Sequence, residues 1–135
     1  TFNYTGVAQD EKFIIPKIIS HFKEKLPSIT LGDLDVFRDF SDVRDVVRAY
    51  KYILLSKTDK CIFNVCSSKC YSLQDIFSIL YKLTNHEIKI IQSKDFMREK
   101  IITKIIGNNN LLKSIGWKQK YQIEDTLNWM LNNWK

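Results

Sequence analysis

The segment Val36–Tyr50, VFRDFSDVRDVVRAY, joins an extended apolar run directly to a helix, and the rest of the chain is organised around it. Arg38 is the only cation in the extended part and stands near the corner where the helix begins. Asp42 or Ser41 can cap that helix, and Asp45 falls in its first turn, where negative charge is favoured. Apolar residues then recur at helical spacing, which predicts one buried face formed by Val43, Val46, Val47, Tyr50 and Ile53.

Arg38 requires an anion at this corner, because a buried or half-buried guanidinium is costly without one. One interpretation is an ion pair with Asp39 or Asp42. The other is a bidentate clamp on the phosphate or carboxylate of a ligand. A capping role would occupy Asp42, and Asp39 should point to the opposite side of the extended chain. The spacing alone leaves both interpretations open.

The other predicted elements alternate between helices and short strands, which is typical of a mixed α/β domain. Pro16 suits the first turn of a helix, and Ser72 with Asp75 forms a capping-box signature at the start of another. A chain of 135 residues can bury one core. The predicted helices cover about 16–26, 42–56, the residues after 72, 108–115 and 123–134, and the predicted strands cover 1–6, 28–31, 36–40, 61–66 and 87–92.

The net charge of +6 and the pI of about 9.2 admit nucleic acid as a partner. The lysines are scattered, however, and no basic block with interleaved aromatic residues occurs, so a solvated surface or an anionic small ligand is favoured. No apolar run approaches the ~18 residues that a membrane span needs. We therefore expect no nucleic acid and no membrane as partners, and a cytoplasmic location. The first residue is Thr1, not Met, which predicts a piece of a longer protein.

Several chemical motifs are missing from the sequence. The four glycines, at positions 6, 32, 107 and 116, are too far apart to form a Gly-rich phosphate loop, and no Tyr is followed by Lys four residues later. Cys61, Cys66 and Cys70 with His86 could in principle hold zinc, but their spacing fits no standard zinc site. Free structural thiols in a reducing compartment are the favoured interpretation. We expect no catalytic residue and no metal ligand in this chain.

Five segments together resemble the C-terminal part of extended short-chain dehydrogenases/reductases that act on nucleotide sugars. The residues 2–9 resemble the family's Phe-Asn-x-x-Gly-Pro segment, and 13–17 the start of the substrate-domain helix. The residues 31–45 resemble its Leu-Gly-Asn-Leu…Arg-Asp-Phe-x-Asp-Val-x-Asp signature. The residues 62–67 resemble a returning strand, and 111–117 the closing Leu-Gly-Trp. The nearest resemblance is to the GDP-4-keto-6-deoxy-mannose reductase and GDP-mannose 4,6-dehydratase group.

This resemblance implies the site residues by position. Asn3 would contact the sugar-phosphate, Lys17 and Arg38 would neutralise the diphosphate, and Arg98 would contact the nucleotide end. Ile101 stands where the family usually has an acidic residue for the ribose hydroxyls. The substrate-binding residues implied are therefore Asn3, Lys17, Arg38 and Arg98.

The resemblance also implies a fold and a function. The residues 1–135 would form the substrate-binding region of an NAD(P)-binding Rossmann-fold enzyme whose main Rossmann part is absent, with 1–6 and 61–66 as strands of the parent sheet. The parent would be an NAD(P)-dependent reductase or dehydratase of a GDP-sugar, with the reductase favoured, and a homodimer. NAD(P) would bind the parent, whereas this chain alone would bind no cofactor and be inactive. The alternatives are a UDP- or dTDP-sugar epimerase or dehydratase, and a basic binding module without catalysis.

Overall fold

The computed structural model describes residues 1–60, 62–93 and 102–134, so that the predictions for Cys61, Arg98 and Ile101 lie outside the described residues. Helices and short strands alternate along the chain, as predicted. The strands are β1 (Asn3–Thr5), β2 (Ser28–Leu31), β3 (Phe37–Arg38), β4 (Phe40–Asp42), β5 (Lys89–Gln92) and β6 (Lys104–Ile105). The helices are α1 (Ile14–Lys23), α2 (Val43–Leu55), α3 (Leu73–Thr84), α4 (Asn110–Ser114) and α5 (Ile123–Asn133).

The described strands form three separate two-stranded sheets, and each of the three is parallel. β1 pairs with β4, with Tyr4 opposite Ser41. β2 pairs with β5, with Ile29 opposite Ile90, and β3 pairs with β6. Parallel pairs require long connections, which here are supplied by the helices between the paired strands.

The main core lies between helices α1, α3 and α5 and strand β2. The predicted apolar stripes of these helices are buried, because each repeats at the helical period. Ser72 caps α3 through a complete capping box with Asp75, as the sequence predicts. The buried side chains include Ile15, Ile18, Ile19, Phe22, Ile29, Ile76, Leu80, Leu127 and Met130.

A second, smaller core lies beneath α2 and contains Val46, Ala49, Val65, Leu112 and Trp117. The predicted buried face of α2 is wrong in part. Val46 is buried, but Val47 is 61% exposed and Tyr50 is 54% exposed. Val46 and Ala49 face Trp117, whereas Val47 and Tyr50 occupy the adjacent side of the helix, outside this core.

The segment 62–66 also departs from the sequence-based expectation of a strand buried on both faces. Ile62 is 83% exposed, and the segment lies in no helix or strand of the described chain. The backbone N–H of Phe2 donates to Val65 O at 3.0 Å, so the segment still runs next to the start of β1. That 1–6 and 61–66 belong to a larger parent sheet stays a prediction. Within the described ranges, no helix is both long and apolar enough to cross a membrane.

Candidate functional site

A cleft of about 470 Å³ opens between β1, α1, the end of β2 and β3. Three of the four predicted substrate-binding residues, Asn3, Lys17 and Arg38, line it although they are far apart in sequence. The structure thus brings these three together, while Arg98 lies outside the described residues. Among the described residues, the other charged side chains of the lining are Lys12 and Asp33. Cations therefore outnumber carboxylates in this part of the lining, and the cleft suits an anion.

Arg38 is fixed at the cleft by its backbone. Its N–H donates to Tyr71 O at 3.0 Å, and Tyr71 N–H donates back to Arg38 O at 2.9 Å. The guanidinium donates from Nη1 to Phe37 O at 2.8 Å and more weakly to Thr103 O at 3.5 Å. Among the described residues no carboxylate forms an ion pair with Arg38. Two backbone carbonyls hold the side chain in place without neutralising its charge.

Lys17 reaches the cleft from the first half of α1. Its Nζ donates to Thr30 O at 3.1 Å, which ties the helix to the end of β2. Asn3 enters from β1 and is exposed. Lys12 pairs with Asp10 at 3.4 Å on the surface, a geometry that contributes little to stability. The cleft is therefore built on one helix and three strands, which are rigid supports.

The carboxylate of Asp39, the residue next to Arg38, does not pair with Arg38 because it is bound elsewhere. Its side chain is fully buried and accepts hydrogen bonds from Ser67 N–H, Ser67 Oγ and Ser68 N–H at 2.6–2.9 Å. It also accepts from the N–H of Gly107 at 3.3 Å. A Cβ at Gly107 would collide with Cys66, so the close approach requires glycine. Asp39 thus joins two loops to β4.

Asp42 is likewise occupied, as predicted for the capping residue of α2. It accepts from the N–H of Arg44 at 2.8 Å and from the Arg44 guanidinium at 2.9 and 2.7 Å. Thr126 Oγ1 of α5 donates to it at 2.7 Å. The side-chain hydrogen bonds that Arg44 donates to Asp42 raise the pKa of Arg44 above its ordinary value. The Arg44 guanidinium is stacked between Tyr121 and Trp129, 3.7 and 3.8 Å from the ring centroids.

Asp45 completes a series of three buried aspartates at spacing three. Its carboxylate accepts from Arg48 and from the N–H groups of Lys120 and Tyr121, both at 2.9 Å. Its backbone carbonyl accepts from Trp117 Nε1 at 3.2 Å. The ion-pair interpretation of Arg38 is therefore wrong for the described residues, because the nearby carboxylates are committed elsewhere. In the sequence, the only indication of these roles is the three-residue spacing of the aspartates around the start of α2.

The described cysteines are free thiols, and the two histidines lie within hydrogen-bonding distance of backbone carbonyls. Cys66 and Cys70 are free thiols, and burial raises the pKa of both. The ring Nδ1 of His21 is 2.8 Å from Lys17 O, and Nε2 of His86 is 3.0 Å from Leu26 O. Within the described ranges no three His, Cys, Asp or Glu residues are grouped to hold a metal.

A dinucleotide cofactor would find no phosphate-binding loop in this chain. The sequence contains no Gly-rich loop and no Tyr-x-x-x-Lys pair, and that this chain alone binds no NAD(P) stays a prediction. The feature of this chain that suits an anionic ligand is the cationic cleft.

Comparisons with known proteins identify the proteins that this chain resembles. The chain is 30% identical over 140 residues to GDP-6-deoxy-D-mannose reductase of Pseudomonas aeruginosa, covering 99% of this chain and 46% of that protein. It is 32% identical to GDP-6-deoxy-D-talose 4-dehydrogenase of Aggregatibacter actinomycetemcomitans, covering 84% and 39%. The chain therefore spans about half the length of the curated relatives it matches or less.

A solved structure of RMD from Pseudomonas aeruginosa, complexed with NADPH, superimposes with a TM-score of 0.85 at 29% identity, covering 98% of this chain and 45% of that one. A Burkholderia cenocepacia protein superimposes with a TM-score of 0.92 at 34% identity, covering 96% and 43%. The α/β fold of a Rossmann-type nucleotide-sugar enzyme is thereby confirmed. The family model described as GDP-mannose 4,6 dehydratase matches residues 1–130. The chain belongs to the GDP-mannose 4,6 dehydratase family, within the superfamily of nucleotide-sugar reductases, dehydratases and epimerases.

Proposed function

We propose that this chain is the substrate-binding portion of an NAD(P)-dependent enzyme that reduces or dehydrates a GDP-sugar. The observation that carries the proposal is the convergence of Asn3, Lys17 and Arg38 on one cleft. Diphosphate offers paired oxygens that match the planar guanidinium of Arg38, while Lys17 supplies a second positive charge.

The role of the chain is to bind and orient. Arg38 and Lys17 hold the diphosphate, and Asn3 contacts the sugar-phosphate, so that the sugar is held in one orientation. NAD(P), bound by another part of the parent enzyme, accepts or supplies the hydride. A 6-deoxy-4-keto sugar reductase is favoured over a dehydratase. The support is the Arg-Asp-Phe and Asp-Val-Arg-Asp sequence together with the names of the two GDP-sugar relatives.

A cytidine diphosphate sugar is the competing substrate class that a specific observation favours. The chain is 31% identical over 126 residues to CDP-abequose synthase of Salmonella muenchen, covering 88% of this chain and 41% of that protein. The phosphate contacts proposed for Arg38 and Lys17 would serve either nucleotide.

Calorimetric titration of the purified chain with GDP, CDP and UDP tests the proposal. We expect GDP to bind most tightly, and inorganic phosphate to compete weakly because it lacks the second phosphoryl group. Tighter binding of CDP or UDP would overturn the GDP assignment alone. Binding of an oligonucleotide with steep salt dependence, together with no nucleotide binding, would support the basic binding module instead.

A further inference from the structure

The cationic cleft contains one carboxylate among its described lining residues, that of Asp33. Asp33 follows the end of β2 and is half-buried. Its Oδ1 accepts the N–H of Asp35 at 3.3 Å, a contact within the turn that orients the side chain. Within the described residues Asp33 forms no ion pair, and Lys12 of the same cleft pairs with Asp10 instead. The cleft therefore presents a negative charge that no described cation pairs with.

The position of Asp33 separates it from the diphosphate proposed for Lys17 and Arg38. Lys17 Nζ donates to Thr30 O, so that part of the cleft lies beside Thr30. Asp33 comes three residues later, a separation of up to about 10 Å along an extended chain. A carboxylate next to a diphosphate would be unfavourable, because both are negative. The ligand group that meets Asp33 is therefore a hydrogen-bond donor outside the diphosphate, since an ionised carboxylate only accepts.

The bases of nucleotides differ in the donors that they offer to a carboxylate. Among the common bases, guanine alone has two neighbouring donors on its Watson–Crick edge, the ring N1–H and the exocyclic amino group. The two oxygens of one carboxylate accept both of them in a bidentate pair. Cytosine, adenine and uracil each place an acceptor beside the donor on this edge, and a carboxylate oxygen would leave that acceptor unpaired. A carboxylate at the base end of the cleft therefore selects guanine.

We propose that Asp33 determines the base specificity of the cleft, by accepting hydrogen bonds from the N1–H and the amino group of guanine. This inference rests on the proposed function, from which it takes the nucleoside diphosphate held by Arg38 and Lys17. Those two cations bind the part that all nucleotides share, so they cannot choose among bases. Asp33 supplies the difference in affinity between GDP and the CDP of the competing substrate class.

The test uses nucleotides that differ from GDP only at the amino group that would face Asp33. Inosine diphosphate lacks this group, and xanthosine diphosphate carries a carbonyl oxygen in its place. The variant Asp33→Asn replaces one acceptor with an N–H donor, which matches xanthine and mismatches guanine. The matched control is Asp35→Asn, which removes a charge from an exposed residue that is not among the described lining residues. Calorimetric titration measures each affinity, and thermal melting checks that both variants are folded.

We expect the unmodified chain to bind GDP about tenfold more tightly than inosine diphosphate, because one hydrogen bond to a charged acceptor is lost. Xanthosine diphosphate should bind still more weakly. Asp33→Asn should reverse the preference and bind xanthosine diphosphate more tightly than GDP, whereas Asp35→Asn should keep the original order.

Two results would overturn the proposal. One is equal affinity of the unmodified chain for GDP and inosine diphosphate. The other is an Asp33→Asn variant that weakens the binding of all these nucleotides by the same factor. If that uniform loss is absent with 2′-deoxy-GDP, the carboxylate binds the ribose hydroxyls and does not read the base.

Titration of Arg38→Lys with the same nucleotides separates this proposal from the proposed function. If GDP, CDP and UDP bind the unmodified chain equally and Arg38→Lys weakens all three, the assignment of Asp33 fails and the diphosphate site stands. If no nucleotide binds the chain, the proposed function fails, and the assignment of Asp33 fails with it.

Discussion

At the scale of single residues, the acidic side chains near Arg38 are each bound to a different part of the chain. Asp39 holds the loop at Ser67 and Ser68, and Asp42 holds Arg44 and Thr126. An uncharged backbone carbonyl is therefore what Arg38 meets at 2.8 Å. The charge of Arg38 is available to the cleft, because the neighbouring carbonyl groups hold its side chain in place but carry no negative charge.

The substitution Arg38→Lys should weaken the binding of GDP by about 1.5–3 kcal/mol, since a lysine cannot reproduce the bidentate hydrogen bonds of a guanidinium. The melting temperature should change little, because the guanidinium contacts only carbonyl oxygens among the described residues. Calorimetric titration with GDP measures the effect. Arg48→Lys is the matched control, since Arg48 binds Asp45 on α2 and does not line the cleft. Unchanged GDP affinity with a much lower Tm would show that Arg38 is structural.

The thiols give a prediction that depends on pH. Burial raises the pKa of Cys66, so the folded chain retains a proton that the unfolded chain releases as pH rises. The contribution of this thiol to stability is therefore complete below its ordinary pKa and declines as pH rises above it.

Cys66 is 1% exposed, whereas Cys70 is partly exposed and donates to Ile105 O at 3.4 Å. Under native conditions at pH 8, iodoacetamide should modify Cys66 about tenfold more slowly than Cys70, because access to Cys66 requires local opening.

Peptide mass spectrometry distinguishes the two cysteines, and labelling in urea should remove the difference. A zinc chelator should leave the Tm unchanged. Equal labelling rates in the folded chain, or stoichiometric zinc in the purified protein, would contradict a structural role for the thiols.

At the scale of elements, the junction of β4, α2 and α5 is held by one carboxylate. Asp42 ends the strand, caps the helix and accepts from Thr126 of α5. Arg44 completes the junction through its ion pair with Asp42 and its stacking on Tyr121 and Trp129.

The substitution Asp42→Ala should lower the free energy of unfolding by about 2–4 kcal/mol. It removes a helix cap, leaves the buried Thr126 hydroxyl without its carboxylate partner, and breaks an ion pair whose acidic side is buried. The partial exposure of Arg44 keeps the loss below that of a fully buried pair. Urea unfolding measures the change. Asp10→Ala, which removes the exposed partner of Lys12, is the control and should not shift the unfolding midpoint. A similar midpoint for both variants would show that the junction contributes nothing.

The elements that could be predicted from sequence are those with a local cause. The stripe of α1, the capping box of Ser72 and the cap of Asp42 depend on residues only a few positions apart. The convergence of Asn3, Lys17 and Arg38 could be predicted only through the family resemblance. The contacts of Asp39 with Ser67 and Gly107 could not be predicted, because they join segments that spacing cannot relate. The exposure of Val47 was missed because periodicity shows that a face is apolar, but not what covers it.

At the scale of the whole molecule, the chain has a cationic cleft and an uncovered helix face. The cleft can hold an anion with residues of its own. Reduction of a sugar needs in addition a cofactor site and an acid/base group, for which this sequence offers no Gly-rich loop and no Tyr-x-x-x-Lys pair. In these three curated relatives the chain covers at most 46% of the length. The cofactor site and the acid/base group could therefore lie in the part of such proteins that this chain does not match. Binding and turnover should therefore be separable in this chain.

The chain alone should bind GDP but should not oxidise NADPH in the presence of a GDP-4-keto-6-deoxy-sugar. Without a bound nicotinamide no hydride donor faces the sugar carbon, and proximity, which supplies much of an enzyme's rate, is lost. The decrease in NADPH absorbance measures turnover, and the full-length Pseudomonas aeruginosa reductase is the positive control. Fusion of this chain to the remaining part of that reductase should restore turnover, and Arg38→Lys should reduce it through weaker substrate binding. NADPH oxidation by the chain alone, if it scales with the chain's concentration and is lost in Arg38→Lys, would show that a complete active site exists within these 135 residues.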